Sequence, residues 1–199
     1  MNRRRPRGAR RVWPGLGAAA LVLAFLPSCA ALESMLALSQ VSFSLDRVHQ
    51  VEVAGVLVDG IRSYSDLSLS DALRVGSAVS QGTVPLALTL DVSGENPEDN
   101  PEARLVALDW TLFLRDRETV RGLMEQETRF PPGGSAVVPL RVSLDLLEFF
   151  QGSARDLVEI ALALAAGDGE PAGVRLEVIP TVETRLGPIR YPGPLVLER

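Results

Sequence analysis

The chain has 199 residues, with 20 basic side chains, 25 acidic ones, a single histidine and a single cysteine, and carries a net charge of −5. One cysteine excludes an internal disulfide, and one His with one Cys excludes a zinc site built from those ligands. Every basic residue is arginine, so a Walker phosphate loop, which needs a lysine, is also excluded.

Basic character is concentrated at the start. Arg3, Arg4, Arg5, Arg7, Arg10 and Arg11 precede any acid, and an apolar run follows from Gly15 to Leu26. As a helix those twelve residues reach only about 18 Å, short of the roughly 30 Å hydrocarbon core of a bilayer. A charged leader with a short apolar run is the pattern of a cleavable export signal. The Arg10–Arg11 pair fits either twin-arginine export or the general secretory route. The run ends in Leu26-Pro27-Ser28-Cys29, which resembles the lipobox of bacterial lipoproteins: an aliphatic residue, a small residue, then cysteine. A thiolate is the nucleophile able to take a diacylglyceryl group as a thioether. Cys29 is therefore the expected lipidation site, residues 1–28 the expected signal, and Pro27 a departure from the commonest pattern. Removing the signal takes six of the twenty basic residues and none of the acids, leaving 14 against 25, a net charge of about −11. Such a surface disfavours nucleic acid as a partner.

Residues 29–47 read as a lipidated tether. Its first part is expected to form a short helix, either at the lipid interface or packed on the domain. A domain is expected over 48–199. Val51, Val53 and Leu57 suggest a strand around Gly55. Ser70-Asp71 is expected to open a helix, with Ala72, Val75 and Val79 on one face and Gly82 as its stop. Leu86, Leu88, Leu90 and Val92 alternate with polar or small residues, the pattern of a strand with one wet face. An acidic loop, Gly94 to Pro101, separates it from a strand over 103–115 that places Val106, Leu108, Trp110, Leu112 and Leu114 on one face. Thr119 to Phe130 is expected to return as its hairpin partner, Pro131-Pro132-Gly133-Gly134 to turn, and Ser135 to Leu144 to form the next strand. Leu144 to Ala166 reads as helical, interrupted at Gly152 and restarted by Ser153 to Asp156, with Leu157, Ile160, Ala161 and Leu164 as its apolar stripe. Val174 to Thr184 and Ile189 to Leu197 complete about seven strands. Short strands at this spacing, with Gly/Pro turns, indicate an all-β sandwich with one inserted helix and a short N-terminal helix.

A strand ending in Asn96-Pro97, an aromatic-bearing hairpin, the Pro-Pro-Gly-Gly turn, Val137-Val138-Pro139, a helix and a closing hairpin together resemble the water stress and hypersensitive response (WHy) domain. That domain defines the type-two late-embryogenesis-abundant (LEA) proteins. The resemblance spans roughly residues 83–199. It implies an immunoglobulin- or fibronectin-III-like β-sandwich, no catalytic residues, and a link to desiccation or stress protection.

The chemistry-bearing residues agree with a non-enzymatic module. No Gly-x-Ser-x-Gly elbow is present, and His49, expected just before the first strand, reads as an ordinary surface residue. Gly167-x-Gly169-x-x-x-Gly173 has the wrong spacing for a dinucleotide fingerprint. Glu95, Glu98, Asp99 and Glu102, with Asn96 and Asn100, could supply calcium oxygens, but the spacing matches a solvated turn better. No catalytic, cofactor-binding or metal-binding residue is expected. The expected role is that of an envelope lipoprotein held to a membrane through Cys29, with Ala30 favouring the outer membrane and the domain expected to face the periplasm. One alternative is a carrier of lipid or unfolded chains, using an apolar groove between the sheets lined by residues such as Trp110 and Phe113; the other, weaker one is an enzyme.

Overall fold

Alternation of apolar and polar side chains produces ten strands among the described residues of a computed structural model, which cover 36–166, 174–184 and 186–198. The expected signal, Cys29 and the tether up to Ser34 and Met35 lie outside the described residues. Strands β1 (Ser42–Val53), β2 (Val56–Leu57), β3 (Pro85–Glu95) and β7 (Ser135–Asp145) form one antiparallel sheet in the order β2-β1-β3-β7. The second sheet runs β10-β8-β4-β5, from β10 (Leu195–Glu198), β8 (Val174–Val182), β4 (Ala103–Leu114) and β5 (Arg117–Met124). Short strands β6 (Thr128–Phe130) and β9 (Ile189–Arg190) pair with β4 and β8. The two sheets face one another as an all-β sandwich. Helices α1 (Leu69–Gln81), α2 (Leu146–Phe149) and α3 (Ala154–Ala165), a 3-10 turn (Tyr64–Asp66) and a helical turn at 36–39 supplement them among the described residues.

The inward faces fill the interior. Leu86, Leu90, Leu105, Leu112, Leu140 and Leu176 are almost wholly buried, and α3 adds Leu157, Val158, Ile160, Ala161 and Leu164. Truncating such a side chain costs about 2–5 kcal/mol. An exposed ion pair such as Arg155–Glu159 (2.8 Å) contributes little, because water and salt screen it. The apolar interior therefore holds the fold, and the surface pairs only trim it.

Several expected boundaries shift for identifiable reasons. The folded unit begins ahead of Val48: β1 starts at Ser42, and Ala37, Leu38 and Val41 are buried. Bulges between Leu45 and Arg47 and between His49 and Glu52 space the buried residues Leu45, Val48 and Val51 three apart, which hides the strand period. A bulge between Leu105 and Ala107 likewise changes parity in β4, so Leu105 is buried and Val106 only partly so. The strand count rises from seven to ten because three expected strands break in two. Two of these breaks give β5 with β6 and β9 with β10. In the third, Ala54 and Gly55, both at positive φ, turn β1 into β2, burying Val56 and Val58 while Leu57 points outward. Helix α1 is capped by Ser68, whose Oγ accepts from the Asp71 amide at 3.2 Å, rather than by Ser70, and Gly82 in the left-handed region ends it. The late helical region divides into α2 and α3, and Ser153 with Asp156 caps α3 reciprocally.

Candidate functional site

The first described residues are fastened to the sandwich. Leu36 to Ser39 form a helical turn, and Val41 N donates to Leu38 O at 3.1 Å. Asn100 Nδ2 donates to Ala37 O at 2.7 Å and to Asn96 Oδ1 at 2.5 Å. Asn96 in turn donates through Nδ2 to Pro101 O (3.1 Å) and Phe130 O (2.8 Å), and its amide donates to Gly134 O (2.8 Å). Both asparagines are at least 95% buried. One amide pair thus joins the N-terminal turn, the loop after β3 and the loop after β6. Phe130 packs against Gly94 in the same place and meets Phe43 edge-on, ring centroids 5.6 Å apart. Sequence reasoning gave Asn96-Pro97 the role of ending a strand, and Pro97 does follow β3. The inward turn of the asparagine side chains had no signal, because a loop rich in Asn and Asp ordinarily points them at water.

The inward turn takes two of the loop's neutral side chains away from its carboxylates. Asn96 and the Asn100 amide nitrogen bond in the interior, where Asn100 Oδ1 is buried without a hydrogen-bond partner among the described residues, while Glu95, Glu98 and Asp99 stay exposed and Glu102 pairs with Arg104 at 2.7 Å. Among the described residues no group of three or more His, Cys, Asp or Glu side chains is placed to hold a metal ion.

A second polar cluster lies on the outer face of the β1-β3-β7 sheet. Asp91 points outward from β3 yet is only 5% exposed, because β3 is flanked on both sides. Arg47 Nη2 lies 2.9 Å from Asp91 Oδ2, and His49 Nε2 lies 3.2 Å from the same oxygen without hydrogen-bond alignment. Beside them Thr89 Oγ1 donates to Gln50 Oε1 at 3.0 Å. Burial pushes the Asp91 carboxyl upward, but the Arg47 hydrogen bond and then the neighbouring His49 outweigh it, holding the group below its ordinary value. His49 thus sits inside β1, three-tenths exposed at its side chain, rather than free at the surface ahead of the first strand. The bulge beside it is held by Asp59, whose two oxygens accept from the amides of Gln50 (2.7 Å) and Val51 (2.9 Å).

Trp110 and Phe113, expected to line one groove, lie on opposite faces of β4. Trp110 is 7% exposed and covers Gly122, where an added Cβ would sit 2.2 Å from the indole. Phe113 lies under the Arg175 guanidinium, 3.8 Å from its ring centroid. The space between the sheets is taken up by side chains instead. A surface cleft of about 720 Å³ lies between the segment 60–65 and α3, with Ile61 and Leu162 as apolar lining and Arg62, Tyr64, Arg155 and Glu159 as polar lining. Among the described residues no helix is long and apolar enough to cross a membrane.

No protein-family model and no curated sequence matches the chain. Solved structures with a likeness to it in shape include these two. One, from a protein described as late-embryogenesis-abundant and solved in solution, is 14% identical, covers 92% of this chain and 83% of its own, and has a TM-score of 0.39. The other, a crystal structure of a protein from Archaeoglobus fulgidus, is 10% identical, covers 58% of this chain and 82% of its own, and has a TM-score of 0.34.

Proposed function

We infer that the chain is a non-catalytic envelope lipoprotein, in which a β-sandwich of LEA type is held to a membrane through Cys29. The supporting observation is one of position. The only cysteine ends an apolar leader and stands seven residues ahead of Leu36, where the described fold begins. Ala37, eight residues past Cys29, is already buried in the domain, so anchor and domain lie close along the chain. Three acyl chains at about 0.8 kcal/mol per buried methylene hold such a protein far more firmly than one myristoyl chain. Ala30 after the cysteine supports retention at the outer membrane, facing the periplasm.

Within this reading the domain is a binding or structural module with a role in desiccation or stress protection. The filled space between the sheets and the separation of Trp110 from Phe113 count against a carrier with an apolar groove there. Metabolic labelling with a fatty acid tests the anchor: label should enter the wild-type chain and disappear in Cys29→Ala, which should leave the membrane fraction. An unlabelled mature chain sinks the reading. Survival of a deletion strain after drying tests the stress role separately, and survival equal to the parent removes it.

A further inference from the structure

We propose that the end of the sandwich formed by loops 96–101 and 131–134 faces the bilayer, and that the end carrying the 54–55 turn and α1 faces the aqueous compartment. The proposal rests on the lipoprotein reading above and assigns the surface of the domain that meets lipid.

Ala37 and Leu38 are buried, and the Ala37 carbonyl is held by Asn100 in the 96–101 loop. The exit point at Leu36 is therefore fixed at that end of the sandwich. The same end holds the start of β1, since Ser42 pairs with Glu95 at the close of β3, and Glu95 pairs with Ser135 at the opening of β7.

From Cys29 to Leu36 there are seven Cα-to-Cα steps, a reach of at most about 25 Å in any conformation. From Ser42 to Val53, β1 runs beside Glu95 to Leu86 of the unbulged β3, nine steps of about 3.3 Å, or about 30 Å. If the far end rested on the bilayer, Leu36 would stand about 30 Å above it, beyond that reach. Only orientations that keep the 96–101 end at the membrane, or lay the domain on its side, remain.

Charge selects between these. A domain lying flat would press one long face against the headgroups, and the described long faces carry arginine–carboxylate pairs such as Arg47–Asp91 and Arg190–Asp109 rather than an apolar or uniformly basic strip. Neither supplies the attraction that holds a protein flat on lipid. The near end itself is acidic, with Glu95, Glu98 and Asp99 exposed, so it stands off the headgroups on its leash.

The far end is marked by α1. Arg74 Nη1 donates to Gly55 O at 3.3 Å, and Leu73 lies beside Ala54 and Pro85 with 65% of its surface exposed. The 60–65 cleft belongs to this half as well, because Val58 bonds back to Val51 and Ile61 to Val58. Anything it takes must come from the aqueous side.

Energy transfer tests the assignment. The full lipidated chain is placed in phosphatidylcholine vesicles carrying an acceptor on their headgroups, with a donor dye on either Asp99→Cys or Leu73→Cys. Lipidated Cys29 is a thioether and takes no dye. Transfer from position 99 should exceed transfer from position 73 several-fold. Inserting about twenty Gly/Ser residues after Ala31 lengthens the leash and should abolish the difference. Equal transfer from both positions with the native leash, or greater transfer from position 73, overturns the orientation alone. A lipid-competent preparation that fails to float with vesicles overturns the anchor and the orientation together.

Discussion

Two polar clusters, each centred on buried side chains, are built from opposite materials. The Asn96–Asn100 pair is neutral, lies inside one end, and gives its protons to the carbonyls of Ala37, Pro101 and Phe130. The Arg47–Asp91 pair, with His49 beside it, is ionic, lies on the outer face of a sheet, and bonds side chain to side chain. Amides that satisfy backbone groups tie segments together at any pH. A carboxylate covered by neighbours adds stability only while it is ionised. The first cluster therefore sets architecture, and the second makes part of the stability depend on solvent conditions.

The sharpest way to break the first cluster is Gly94→Ala. An added Cβ would lie 2.5 Å from Cε1 of Phe130, a side chain with no exposed surface, and would shift the residue whose carbonyl Asn96 binds. A loss of about 3 kcal/mol is expected in urea unfolding, at the upper end for overpacking. Next comes Asn96→Ala, which leaves buried carbonyls unmatched and removes the acceptor for Asn100. A loss of about 2 kcal/mol is expected, equal at pH 7 and pH 4. A pH-dependent loss would dissolve the contrast between the clusters.

Asp91→Asn should cost about 1 kcal/mol at pH 7. Its carboxyl titrates lower in the folded chain than the roughly 3.9 of an unfolded one, so folding favours the ionised form. That contribution is complete above about pH 4 and drains away as pH falls through the lower folded value. Thermal unfolding measured from pH 5 down to pH 2 should fall more steeply in wild type than in Asp91→Asn. Parallel curves would show that Asp91 carries no share of the acid sensitivity.

Much of this architecture was legible in the residues. Leu86 to Val92 announces β3, Ser153 with Asp156 announces α3, and Gly82 ends α1 where its lack of a Cβ predicts. What escaped has a common physical origin. Bulges convert a period of two into three at Leu45, Val48 and Val51, so the first half of β1 read as a tether, and another flips the parity at Val106. Burial of Asp91 on an outward face depends on which strands flank β3, a long-range fact that no local pattern records. The fastening of Ala37 by Asn100 spans 63 positions and is invisible for the same reason. The expected anchor at Cys29, by contrast, is a matter of local spelling, and the fold adds only how near to it the domain begins.

At the rims of the β2-β1-β3-β7 sheet, β2 pairs with only the last two residues of β1, two bulges break the even spacing of the rest of β1, and β7, at the other side, carries Pro139, which has no amide proton to give. Rims interrupted in this way deny a neighbouring copy a continuous row of donors and acceptors to zip onto. Under the anchor proposed above, which would confine copies to two dimensions where collisions are frequent, this sheet is thereby guarded against pairing edge to edge.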